Sequence, residues 1–141
     1  MRVLAVSNFL LSICSHAWLV LTFKHRGEGL STLSAGARLA LVILAGVIIG
    51  LCTYFAPGDG RATAALMAVV HFGIFSALMG HGEDGAPRQA MFAVLMVVTE
   101  PLGLSFRWAP GLYFMDQILT VWVLVAGVTF IMRSADKSPS R

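Results

Sequence analysis

Glu100 is an ionisable residue inside an apolar run, Val97-Val98-Thr99-Glu100-Pro101-Leu102. A carboxylate at mid-bilayer depth costs about 2.5–3.5 kcal/mol on insertion scales, so such groups usually face protein and have a partner. Pro101 beside it lacks a backbone donor and leaves a carbonyl unpaired one turn back. A carboxylate next to a freed carbonyl suits uptake of a proton or a small cation. The same residue near a span end can instead snorkel to the headgroups. His71 lies in a second apolar run and Asp116 opens a third. At a rise of 1.5 Å per residue, His71 falls roughly 12 Å below one surface, Glu100 nearer to it and Asp116 nearer still. The three form a candidate proton- or ion-handling set, with Arg61 and Arg107 at its mouth. Alternatively, His71 is a lone histidine bonded to a backbone carbonyl or a serine.

Other chemistry is sparse. His16, in the first apolar run, pairs with His71 as a weak candidate for haem or pigment ligation. The depths disagree by roughly 8 Å at the same helical rise, whereas two axial ligands of one iron need nearly equal depth. No cofactor is favoured. His25 and His81 fall in loops, and no three-ligand metal spacing occurs. Ser7, Ser12, Ser15 and Ser76 have no His–carboxylate partners in sequence reach, and membrane serines more often bond their own helix. Gly58-Asp59-Gly60 is turn chemistry, not a phosphate loop. Cys14 and Cys52 lie within apolar runs and read as small hydrophobes.

The elements that must position these residues follow from composition. Apolar residues are 57% of the 141 and charged residues only 12%. A soluble domain carries roughly 25% charged residues, so this chain is expected to be an all-α integral membrane bundle whose solvent is lipid. A span needs about 20 residues, which leaves room for one domain of five helices at about residues 3–23, 39–55, 63–80, 90–106 and 115–132, with a polar tail over 133–141. Ser31 or Ser34 is positioned to cap the second helix. Arg2 and Ser15-His16-Ala17 imitate a cleavable leader, but the apolar run continues through Trp18 to Phe23, so an uncleaved first helix is expected.

The fourth segment, interrupted by Pro101, either crosses or re-enters. If it crosses, Arg2, Arg61 and Arg107 lie on one side, against Lys24, Arg26, Arg38, Arg88, Arg133, Lys137 and Arg141 on the other. If it re-enters, the same residues split evenly. The uneven split obeys the positive-inside rule and favours five spans, N-terminus outside and C-terminus cytoplasmic, in a bacterial inner membrane. The ten Lys and Arg are scattered through the loops and make no nucleic-acid footprint. No repeat of the inverted-transporter kind is visible.

Small residues recur four apart: Gly46 with Gly50, Gly73 with Ala77, and Ser76 with Gly80. Such spacing lets helices approach closely, either within the chain or across a self-association face. In type the chain resembles phage holins, which are short, multi-span and end in a polar basic tail like Arg133-Ser134-Ala135-Asp136-Lys137-Ser138-Pro139-Ser140-Arg141. The resemblance implies self-assembly in a bilayer and assigns no residue a role. Two function classes are expected. One is a non-enzymatic protein acting by self-assembly or permeation: a pore, a holin-like oligomer or a small carrier, with the bilayer and copies of itself as partners. The other is an accessory subunit among other membrane subunits of a redox or energy-converting complex.

Overall fold

The computed structural model describes residues 2–24, 29–82, 84–109 and 111–135. His25, Arg26, Glu83, Pro110 and the tail with Lys137 and Arg141 lie outside the described residues. The described residues fold into five helices: α1 Arg2–Leu21, α2 Ala35–Phe55, α3 Arg61–Met79, α4 Gly85–Trp108 and α5 Tyr113–Ala135. Among the described residues there is no strand. Four helices, α2 to α5, are long and apolar enough to cross a membrane, and α1 carries a shorter apolar stretch over Leu11–Leu21. The protein is a helical membrane bundle.

The boundaries have local causes. The Ser34 hydroxyl caps α2 by accepting from the Ala37 amide at 3.2 Å. α4 begins five residues before the expected start because Pro87 sits in its first turn, where a missing N–H is no loss. Pro101 does not break α4, which is helical throughout and includes Glu100. A re-entrant turn at this point is therefore absent. α4 starts where α3 ends and finishes beside the end of α2, where the Trp108 indole N–H donates to the Phe55 carbonyl at 2.8 Å.

α1 ends in a Schellman turn, with the Phe23 amide bonded to the Val20 carbonyl and the Lys24 amide to the Leu19 carbonyl. The left-handed position of that turn usually holds glycine; here it is Phe23, at φ 58°. α5 covers the exposed carbonyls. The Trp122 indole N–H donates to Leu21 at 2.9 Å, and Arg133 donates to the Phe23 carbonyl. The Phe23 ring tilts against Trp122, centroids 5.2 Å apart.

α4 is the central helix and packs on all four others. The pair α2/α3 lies on one flank and the pair α1/α5 on the other. Its Ala90, Met91, Ala93, Val94 and Leu95 form the middle of the core, and Leu30 reaches in from the loop after α1. Small residues set the close approaches. A Cβ on Gly50 would lie 3.0 Å from Val69, and one on Gly46 3.7 Å from Phe72, so this pair packs α2 on α3. Beside Val69 the same α2 face stays open as an apolar groove lined by Ile43, Val47 and Leu51. Ser76 and Gly80 face α4, where the Gln89 amide donates to the Ser76 hydroxyl at 3.2 Å and to its carbonyl at 3.1 Å. A Cβ on Gly85 would collide with the Gly80 carbonyl, so the tight α3–α4 turn requires glycine there. Gly73 and Ala77 lie on the outer face of α3, with no atom within 4 Å of a Cβ built on Gly73.

Candidate functional site: an ion-pair cluster between α4 and α5

Glu100, Gly103 and Arg107 are spaced three and four apart on α4, which places them on one helix face. Asp116 and Thr120 make the same kind of row on α5. The two rows meet near the end of the bundle where α4 finishes and α5 begins. Arg107 binds Asp116 through two hydrogen bonds, Nε to Oδ2 at 3.0 Å and Nη2 to Oδ1 at 3.3 Å. This two-pronged pairing matches the planar guanidinium to the planar carboxylate. The same Nη2 lies 3.8 Å from Glu100 Oε2, an ion pair longer than a hydrogen bond. Asp116 is buried, whereas the Glu100 and Arg107 side chains each keep 23% of their surface exposed.

One cation between two carboxylates leaves the cluster with a formal charge of one negative. It opens on a cavity of about 100 Å³ lined by Met96, Thr99, Leu119, Thr120 and Val123 beside the charged groups. A space of this size beside charged groups admits water. Both threonines donate to their own helices, Thr99 to Leu95 and Thr120 to Asp116, each at 2.8 Å. Their oxygen lone pairs remain available as acceptors. The arrangement can exchange a proton or hold a small cation; it contains no nucleophile with a base aligned to it.

Of the residues singled out in the sequence, the fold brings Glu100 and Asp116 together, linked by Arg107. His71 does not join them. It is exposed on α3, and its Nδ1 lies 2.7 Å from the Met67 carbonyl oxygen of its own helix. Arg61 also stays away, donating to the Gly58 carbonyl at 3.0 Å. His16 and His71 are not a pair: α1 and α3 do not pack on each other, and His16 instead lies against Gly29. Among the described residues no group of three or more His, Cys, Asp or Glu side chains is arranged to hold a metal.

Two residues of the cluster were not legible as such. Arg107 reads in sequence as a loop charge at the mouth of the site, yet it lies within α4 as the bridge between the carboxylates. Gly103 was not singled out in the sequence at all. The signal available was the spacing Glu100-Gly103-Arg107, which is that of one helical face once α4 is allowed to run through Pro101. Comparisons with protein-family models, with curated proteins and with solved structures find no match.

Proposed function

We propose that this bundle is a small, non-enzymatic permeation protein that passes a proton or small cation along the α4–α5 seam, with Glu100 as the exchanging group. The observation that carries the reading is the unequal use of the two carboxylates. Asp116 is buried and held by two hydrogen bonds from Arg107. Glu100 faces the same cavity with only the long 3.8 Å contact. The first is fixed charge; the second is free to change its charge without dismantling the cluster. Holding a net negative cluster in an apolar bundle is costly, and membrane proteins place such groups on ion and proton paths.

Orientation is part of the same proposal. Lys24, Arg38, Arg88 and Arg133 fall at the end opposite the cluster, whereas Arg107 is neutralised by its partners. With Arg2 and Arg61 as the other cations at the cluster end, the positive-inside rule still supports a cluster end outside and an Arg133 end in the cytoplasm.

Glu100→Gln keeps shape and removes the exchangeable charge. In vesicles loaded with a pH-sensitive dye, purified protein should dissipate an imposed proton or sodium gradient, and the Gln variant should do so at least about tenfold more slowly while melting within about 2 °C of the parent. Equal fluxes in the two proteins would refute the role of Glu100.

A further inference from the structure

We propose that Gly103 is the positioning residue of the α4–α5 cluster: the space left by its missing side chain is where the Asp116 carboxylate sits. A Cβ built on Gly103 would lie 2.6 Å from Asp116 Oδ1, 3.3 Å from Arg107 Nη2 and 3.8 Å from Asp116 Cγ. All three of these nearest atoms belong to the cluster, and none is α5 backbone. The closest approach that this glycine permits is thus of side chains, whereas at Gly85 in the α3–α4 turn it is of backbone. Gly103 admits one carboxylate to the surface of α4. There Asp116 engages Arg107, and the guanidinium is held 3.0 Å from Asp116 and 3.8 Å from Glu100. With a methyl group at position 103 the carboxylate must retreat. Its two hydrogen bonds from Arg107 stretch, and Arg107 turns to its other anion. Gly103 thus decides which carboxylate the guanidinium holds closely and which it meets only at long range.

A double-mutant cycle tests this, because residues that act through one contact are non-additive and independent ones are additive. Gly103→Ala should lower the melting temperature in detergent by about 3 °C or more in the parent, a shift of the size expected for about 1 kcal/mol in a chain this long. In an Asp116→Ala background, where the carboxylate is gone, the same change should leave the melting temperature unchanged or raise it, since alanine is the better helix former. If the single variant does not fold, the double variant Gly103→Ala/Asp116→Ala should restore folding. A further readout separates positioning from packing. In nitrogen-labelled protein the Arg107 Nε–H should be protected from solvent exchange in the parent, and should lose that protection at least about tenfold in Gly103→Ala. Equal costs of Gly103→Ala in both backgrounds, failure of the double variant to fold, or an Arg107 Nε–H equally protected in parent and variant would overturn the proposal. The inference uses the cluster described above but not its transport role. The stability cycle and the Arg107 signal decide it even if the Glu100 flux experiment fails.

Discussion

Arg107→Met is the sharpest perturbation of this fold. It keeps an unbranched apolar stem, shorter than that of arginine, and removes the cation that bridges Glu100 and Asp116. Removing one partner of a buried ion pair costs about 3–5 kcal/mol, because the other charge is left uncompensated. Asp116 meets that description, with 9% of its side chain exposed. Arg107, at 23%, is partly solvated already, which argues for the lower end of the range, about 3 kcal/mol. For a chain of this length each kcal/mol shifts melting by about 2–4 °C, so the expected loss is about 6–12 °C, read by circular dichroism in detergent micelles. Replacing both partners by apolar residues of similar size should be far less damaging, since no unpaired charge remains on α5. Arg107→Met/Asp116→Leu is therefore expected to recover most of the loss. A single variant melting within about 1 °C of the parent would show that the pair is not structural. A double variant no better than the single one would show that packing by the Arg107 stem, and not charge, is what the site needs.

Two further outcomes follow from other parts of the bundle. Phe23 occupies a left-handed position at the end of α1, where a non-glycine residue stores about 1 kcal/mol; Phe23→Gly should therefore be more stable than Phe23→Ala by about that amount, and the reverse order in thermal melting would contradict the left-handed turn. Single cysteines introduced at Asp59 and His81, in a protein with Cys14 and Cys52 replaced, should react with an impermeant maleimide from opposite sides, Asp59 from outside; labelling from one side would overturn the proposed orientation.

The apolar runs and the polar gaps between them determined the helices and most of their ends without help from the fold. The physical reason is that a bilayer requires every span to satisfy its own backbone, so length and composition suffice to find it. A serine cap on α2, left open between Ser31 and Ser34, and Gly58 to Gly60 as a turn were legible for similarly local reasons. What the sequence did not determine was which way each helix turns. Helices bathed in lipid are apolar almost all round, so the periodic pattern that marks the buried face of a soluble helix is faint. Placing His71 beside Glu100 by depth alone failed for that reason. Two residues at matching depth on different helices can point apart, and His71 sits on the exposed side of α3. The continuity of α4 through Pro101 was favoured by the charge split, although local preference opposed it. Packing on all four neighbours holds this helix together at a position where local preference alone favours a break. Once α4 continues, Glu100, Gly103 and Arg107 share a face, and the packing of α5 against that face brings Asp116 to them. The charged residues were plain in the sequence; their order of contact, with Arg107 between two carboxylates and Gly103 making room for one of them, depended on the rotation and contact of two helices.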